Sequence, residues 1–181
     1  MSALRTLVVH AGALGDFLLA CPALLRLAEA GPVVLAGSPE RQAIAVAAGL
    51  AERAMPLDAL ALHEVFAANG ALPLPTRFHE AVQGFDRAVV WMRDPGGLLQ
   101  SAFRAAGVPE VICAPGLPQA DWPGHAAAYY CASIGVAEVP DFRLNLPSKL
   151  GLDVVIAPGS GSPRKNWPLA NYEALALRLE A

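Results

Sequence analysis

The sequence has few charges and no marked excess of either sign. Charged residues make up 16% of the 181 residues, and the formal net charge is -3. Proteins that gather nucleic acid or anionic lipid by non-specific attraction need a strong positive field, which this composition does not supply. We therefore expect no nucleic-acid partner.

Cysteine is also scarce. Cys21, Cys113 and Cys131 are odd in number and widely spaced, and no Cys-x-x-Cys pair occurs. This pattern argues against a disulfide framework and against a zinc site, and it favours a reducing compartment. We expect a cytoplasmic protein without a metal.

Long apolar runs are missing as well. The apolar run after the first residues, 7–9, is too short for the central region of a signal peptide. No stretch approaches the roughly 20 apolar residues that span a bilayer. Peripheral contact with a membrane is left open by these observations.

The residues that are present alternate between strand-like and helix-like patterns. Hydrophobic residues make up 55% of the chain, enough for a substantial core. The pattern predicts strands at 4–10, 32–36, 54–57, 86–92 and 110–113, separated by helical segments that include 14–30, 40–48, 97–106 and 124–134. Pro22 is predicted to kink the first helix or to start a new turn. Alternation of this kind predicts an α/β fold, a Rossmann-like, doubly wound parallel sheet.

The chain changes character after the last of these helices. Residues 140–152 contain Pro140, Pro147, Ser148 and Gly151 around a short extended piece, 142–146. They are interpreted as a linker between a first domain, 1–139, and a second unit, 153–181. The second unit contains one predicted strand, 153–157, and one helix from Leu169 onward. Since such a unit cannot bury its own core, we interpret it as the start of a truncated domain and expect this chain to self-associate.

The first loop that could carry chemistry follows the first predicted strand. Residues 10–16 read HAGALGD and place Asp16 at the start of a helix, where a carboxylate could act as a base. The dinucleotide pattern GxGxxG fails because His10 replaces its first glycine, and no acid ends the second strand, which disfavours an NAD-dependent oxidoreductase. The alternative is that the loop is only a tight strand-to-helix connection, with Asp16 as a favourable charge in the first helical turn.

The second such loop lies in the second unit. Residues 157–168 read APGSGSPRKNWP, which combines small residues, the hydroxyls of Ser160 and Ser162, and the cations of Arg164 and Lys165. Backbone N–H groups and cations between a strand and a helix are typical of a phosphate-binding loop. The Walker A pattern does not fit. The alternative is a surface loop whose cations are simply solvated.

Together these segments resemble the heptosyltransferases of glycosyltransferase family nine. The resemblance lies in Gly15-Asp16 followed by Pro22-Ala23-Leu24, in His125 at the start of a helix, and in Lys165 followed by Trp167-Pro168. It implies a GT-B fold, in which two Rossmann-like domains face each other across a cleft. Residues 1–139 would then be the acceptor-side domain, and residues 153–181 the start of the donor-binding domain.

The resemblance also implies roles for individual residues. Asp16 matches the catalytic base, and Lys165, with Ser160 and Ser162, matches the donor diphosphate site. The residues expected on the acceptor side are Gly12, Gly15, His125 and Gln100. For His125 a purely helix-capping role stays open as an alternative.

Gln100 marks a departure from the family. Members often carry a basic residue in a Gly-x-x-Lys-Ser segment, where this chain has Gly97-Leu98-Leu99-Gln100-Ser101. The identity of the acceptor is therefore left open.

The implied function is inverting transfer of a heptose-like sugar from an ADP-sugar to a lipid-linked oligosaccharide acceptor of the lipopolysaccharide core type. No cofactor and no obligatory metal are implied. The implied location is cytoplasmic, with peripheral contact at the inner membrane left open, and the chain alone is expected to be inactive. The alternative function is a non-catalytic α/β module that binds a nucleotide or phosphate.

Overall fold

A computed structural model describes residues 3–144, 154–159 and 162–179 of the chain. The chain divides into two compact units, Met1–Leu146 and Pro147–Ala181. Residues 145–152 of the predicted linker lie outside the described residues, and the predicted domain limits stay a prediction.

The first unit is built on a five-stranded parallel sheet. Its strands are β1 (Thr6–His10), β2 (Val33–Gly37), β3 (Arg53–Pro56), β4 (Arg87–Trp91) and β5 (Glu110–Ala114). Their order across the sheet is β3-β2-β1-β4-β5. In the centre, Val8 lies opposite Leu35 on one side and Val89 on the other. The predicted Rossmann-like α/β fold is confirmed, and the predicted strand limits differ from the observed ones by at most two residues.

Helices cover both faces of this sheet. They are α1 (Leu14–Ala30), α2 (Pro39–Ala47), α3 (Leu62–Ala68), α4 (Thr76–Val82), α5 (Leu98–Ala105) and α6 (Ala126–Ser133). Residues of α1, α2 and α6 pack together on one face, and residues of α3, α4 and α5 pack on the other. The sheet is therefore doubly wound, as predicted.

Period-two alternation in the strands explains why the core has two layers. In β1, Leu7 and Val9 join the α3–α5 layer, whereas Val8 joins the α1 layer. Every residue of β1 and β2 is buried. Strands covered on both faces are mostly apolar, which is why residues 7–9 and 33–36 read as continuous hydrophobic runs.

Helix α1 forms because its apolar residues recur three or four apart. Phe17, Cys21 and Leu24 are fully buried against the sheet. The helix passes Pro22 without ending, so Pro22 does not begin a separate helix. The predicted limits of this helix, 14–30, are confirmed.

The second unit contains a 3-10 turn (Pro163–Lys165) and a helix, α7 (Leu169–Leu179). The predicted strand 153–157 is wrong for residues 154–157, which form no strand; Asp153 lies outside the described residues. A strand needs a neighbour to pair its N–H and C=O groups, and no described segment supplies one. Among residues 154–159 and 162–179 none is buried, and the apolar Leu169, Leu177 and Leu179 are exposed.

Within the described parts of both units, no helix combines the length and the apolar character needed to cross a membrane.

Candidate functional site

The candidate site lies at the carboxyl edge of the sheet, between β1 and β4. The chain leaves β1 toward β2 on one side and leaves β4 toward β5 on the other. Loops that depart in opposite directions open a crevice, which is where ligands bind in sheets of this kind. A cleft of about 1000 Å³ lies here and is lined by the loops after β1, β4 and β5.

The loop after β1 brings Asp16 to this cleft. Asp16 is half-buried and is the third residue of α1, and its Oδ2 accepts a hydrogen bond from the backbone N–H of Ala13 at 3.2 Å. A carboxylate in this position stabilises the start of a helix. In residues 3–144 this is the one hydrogen bond to the Asp16 carboxylate, so Oδ1 can still accept a proton or a hydrogen bond from a ligand.

Gly12 also lines the cleft, and it is held between two side chains. A Cβ atom on Gly12 would lie 2.9 Å from Cε1 of His10 and 3.2 Å from Cβ of Asp16. Contacts this short require a neighbour to move, so only glycine fits without adjustment. Gly15 differs, because a Cβ there would meet no atom within 4 Å, and Gly15 does not line the cleft.

His10 supports this loop from beneath. Its side chain is 1% exposed and packs against the rings of Phe17, Trp91 and Tyr130, with centroid distances of 5.7, 6.2 and 6.2 Å. Neither ring nitrogen has a hydrogen-bond partner among the described residues. Burial, with a smaller contribution from the nearby Arg41 charge, lowers the pKa of His10 to about 4. The imidazole is therefore neutral at pH 7.

The loop after β4 contributes a second carboxylate, Asp94. Its Oδ1 accepts from the N–H of Leu99 at 2.9 Å, and its Oδ2 accepts from the N–H of Gln100 at 3.0 Å. These N–H groups belong to the first turn of α5 and are without partners inside the helix. Asp94 thus caps α5 with both oxygens. The side-chain amide of Gln100 lines the cleft and lies 3.4 Å from the carbonyl oxygen of Val111.

Cys113 also lines the cleft, next to Asp94. Burial, together with the Asp94 carboxylate, raises the pKa of the Cys113 thiol to about 12. A thiol protonated at pH 7 is a poor nucleophile. Cys113 is therefore part of the wall of the cleft.

The loop after β5 is held in place by α6. The hydroxyl of Tyr129 donates to the carbonyl of Pro115 at 2.9 Å, and the hydroxyl of Tyr130 donates to the carbonyl of Gly116. Both carbonyls belong to residues that line the cleft. Tyr129 and Tyr130 of α6 thereby hold the loop after β5 in place, and this loop forms one wall of the cleft.

His125 lies at the start of α6 and is not among the residues that line the cleft. Its Nδ1 accepts a hydrogen bond from the N–H of Ala127 at 3.2 Å, which is a helix-capping interaction. His125 therefore caps α6, which is the alternative role that the sequence left open. An acceptor-side role for His125 stays a prediction.

The predicted phosphate-binding residues belong to the second unit. Lys165 is exposed and ends the 3-10 turn, in which its N–H donates to the carbonyl of Ser162 at 2.9 Å. The ring of Trp167 packs edge-on against Tyr172, with centroids 5.2 Å apart, and so ties the turn to α7. Ser160 lies outside the described residues.

In the described parts of the chain, no group of three or more His, Cys, Asp or Glu side chains is arranged to hold a metal ion.

Sequence reasoning did not identify two polar residues of the cleft, Asp94 and Gln119. A signal for Asp94 existed, because it follows the end of a predicted strand and precedes a Pro-Gly-Gly turn. Strand ends of parallel sheets meet at one edge, so polar residues just beyond them are site candidates. Gln119 lies in an irregular loop and carries no comparable signal.

The chain matches solved structures, but it matches no family model and no curated sequence. A solved glycosyl transferase family 9 structure from Veillonella parvula DSM 2008 is 16% identical, with a TM-score of 0.63, and the match covers 97% of this chain and 60% of that one.

Two solved structures of E. coli heptosyltransferase WaaC are also similar. The structure with ADP is 20% identical, with a TM-score of 0.60, and the match covers 97% of this chain and 64% of that one. The structure with ADP-2-deoxy-2-fluoro heptose is 20% identical, with a TM-score of 0.59 and coverage of 97% and 65%.

The chain shares their fold. It spans 60–65% of the length of these three chains. The predicted fold, that of the N-terminal portion of a GT-B heptosyltransferase, is therefore confirmed.

The contrast between the two loop glycines can be tested by stability. We expect Gly12→Ala to lower the free energy of unfolding by about 1–3 kcal/mol, because the new methyl group displaces His10 or Asp16. We expect Gly15→Ala to be neutral or to stabilise by up to about 1 kcal/mol, because alanine is the better helix former and meets open space. Urea unfolding followed by circular dichroism measures both, and equal effects would contradict the described packing.

The buried His10 predicts a specific pH dependence of stability. Its pKa in the folded protein, about 4, lies below its ordinary value of 6.5, so the unfolded chain takes up the proton first. The contribution of neutral His10 is complete above about pH 6.5 and is lost as the pH falls toward 4. Between pH 7 and 4.5 the loss should be on the order of 2–3 kcal/mol.

The measurement compares urea unfolding of the native chain with that of His10→Phe at both pH values. Phenylalanine keeps an aromatic ring at this position but cannot take up a proton, so the stability difference should shift toward the variant at low pH. His63→Gln, at an exposed position, serves as the control and should follow the native chain. Parallel behaviour of His10→Phe and the native chain would show that His10 is not buried in its neutral form.

Proposed function

We propose that this chain is the acceptor-side part of an inverting glycosyltransferase of the heptosyltransferase type. The reaction is transfer of a heptose-like sugar from an ADP-sugar to a hydroxyl of a lipid-linked oligosaccharide of the lipopolysaccharide core type. The observation that carries the proposal is the position of Asp16 in the cleft between β1 and β4. The shared fold supports it, because two of the similar structures contain ADP or an ADP-heptose analogue.

In this mechanism Asp16 is the general base. The acceptor hydroxyl donates its proton to the Asp16 carboxylate while its oxygen attacks the anomeric carbon of the donor sugar. The bond from that carbon to the diphosphate breaks on the opposite side, ADP departs with the electron pair, and the configuration inverts. A positioned base of this kind contributes about 10²–10⁴-fold to the rate.

The hydrogen bond from Ala13 to Oδ2 has a role in this step. It fixes the carboxylate against the first turn of α1 and leaves Oδ1 to take the proton. Gly12, which lines the cleft beside Asp16, keeps the acceptor's approach to that carboxylate free of a side chain. An acceptor-side role for Gly15 stays a prediction.

The departing diphosphate needs positive charge. We assign this role to Lys165, aided by Ser162 and Ser160, since a lysine and hydroxyls beside a helix start are typical of phosphate sites. The reaction would take place on the cytoplasmic side of the inner membrane, where the protein meets its lipid-linked acceptor by peripheral contact.

The alternative is a nucleotide- or phosphate-binding module without catalysis. It is favoured by the helix-capping hydrogen bond of Asp16, which is a sufficient structural reason for an acid at that position. Under this alternative Lys165 binds the ligand and Asp16 only stabilises α1. The two functions therefore predict different effects on sugar transfer and on ADP binding when Asp16 or Lys165 is replaced.

For Asp16 the informative change is Asp16→Asn in the complete natural protein that contains this sequence. The amide oxygen can still accept from Ala13, so folding is retained while the base is lost. We expect kcat for sugar transfer from ADP-heptose to fall about 10²–10⁴-fold.

The matched control for this variant is Asp58→Asn, which removes an exposed carboxylate outside the cleft and should keep full activity. Full activity of Asp16→Asn would remove Asp16 from the mechanism. If instead the native protein bound ADP but transferred no sugar, the non-catalytic alternative would be favoured.

For Lys165 the expected effect is on donor binding. Lys165→Ala in the same complete protein should weaken ADP binding about 10–100-fold, as expected for the loss of a charge-assisted hydrogen bond. Isothermal titration calorimetry with ADP measures this change. Arg178→Ala removes an exposed cation of α7 and is the control. Equal affinities of Lys165→Ala and the native protein would exclude Lys165 from the diphosphate site.

A further inference from the structure

The charges that line the cleft favour an uncharged ligand. The cleft carries two carboxylates, Asp16 and Asp94, and among the described residues that line it Arg93 is the one basic side chain. Arg93 is exposed, whereas both acids are half-buried. The formal charge of the lining is therefore -1, and its negative groups are the less solvated ones. Less solvated charges act more strongly on a ligand.

Both helices that begin at the cleft already hold a carboxylate of this chain. The Asp94 carboxylate accepts hydrogen bonds from the N–H groups of Leu99 and Gln100 at the start of α5, at 2.9 and 3.0 Å. The Asp16 carboxylate accepts a hydrogen bond from the N–H of Ala13 at the start of α1, at 3.2 Å. Helix starts are the usual binding positions for phosphate and carboxylate groups. An anionic ligand would have to displace these internal carboxylates or lie beside them.

The remaining groups suit hydroxyls and sugar rings. Gln100 and Gln119 offer amides that both donate and accept, and the Asp16 carboxylate accepts from a hydroxyl. Apolar surface comes from Met92, Pro95, Leu117 and Pro118, which fits the C–H faces of a sugar. The volume of about 1000 Å³ is large enough for more than one sugar ring.

We propose that this cleft binds a neutral glycan, so that the acceptor sugar and its immediate neighbour carry no phosphate or carboxylate group. The inference rests on the proposed function, in which the cleft is the acceptor site. It names the acceptor class that the family resemblance leaves open. Gln100 and Asp94 are the residues that set this preference.

The first test measures binding and does not depend on catalysis. Saturation-transfer NMR with the 181-residue chain compares a neutral disaccharide with the same disaccharide carrying one phosphate ester. We expect saturation of the neutral ligand and at least about tenfold weaker binding of the phosphorylated one. Equal or tighter binding of the phosphorylated ligand would overturn the inference, and so would absence of binding for both.

The second test measures transfer in the complete natural protein. With the same acceptor pair, kcat/KM should be at least about tenfold higher for the neutral acceptor. Binding of the neutral glycan without transfer to either acceptor would reject the proposed function and leave the inference on the ligand class standing. A preference for the phosphorylated acceptor would reject the inference and retain the transferase.

Two variants of similar side-chain length identify the source of the preference. Gln100→Lys adds a cation to the cleft and should reduce the neutral-over-phosphorylated binding ratio about tenfold. Gln100→Glu, the matched control, should leave that ratio unchanged or increase it. Circular dichroism checks that both remain folded. An equal ratio in the two variants would show that charge at this position does not select the ligand.

Discussion

The site depends on the position of β1 in the centre of the sheet. β1 pairs with β2 on one side and with β4 on the other, and the chain leaves the sheet in opposite directions after β1 and β4. A crevice at their carboxyl ends follows from the connectivity alone. Because β1 is buried on both faces, its end is fixed, and so is the start of the loop that carries Asp16. The core therefore determines where this loop, and with it Asp16, begins.

The two cleft carboxylates differ in how many of their oxygens the chain itself engages. Asp94 gives both of its oxygens to the start of α5, whereas Asp16 gives one oxygen to the start of α1. A carboxylate engaged at both oxygens shapes the cleft and repels anions, but it has little left with which to take a proton. A carboxylate engaged at one oxygen is oriented and keeps its other oxygen available to a hydroxyl. This difference in hydrogen bonding is the physical reason for assigning the base to Asp16.

Much of the fold can be predicted from the sequence because its three central strands, β2, β1 and β4, are almost entirely buried. Residues 33–36 and 88–91 are continuous apolar runs, and the apolar spacing of α1 gives that helix its observed limits, Leu14–Ala30. The site is harder to predict from the sequence, since it depends on which loops the topology brings together. Asp94 acquires its role only when α5 begins four residues later and turns its N–H groups toward it. The predicted strand 153–157 failed because a single strand has no partner in the described residues.

The two units differ in charge in a way that separates two ligand chemistries. The cleft of the first unit has two half-buried carboxylates and one exposed guanidinium. The 3-10 turn of the second unit carries adjacent cations, Arg164 and Lys165, in exposed positions. Under the proposed function, a diphosphate is attracted to the cations of the turn and repelled by the cleft, while a neutral glycan gains from the amides and apolar surface of the cleft. Under the same proposal, charge alone keeps the donor diphosphate away from the acceptor cleft, and the uncharged Gln100 contributes to this separation.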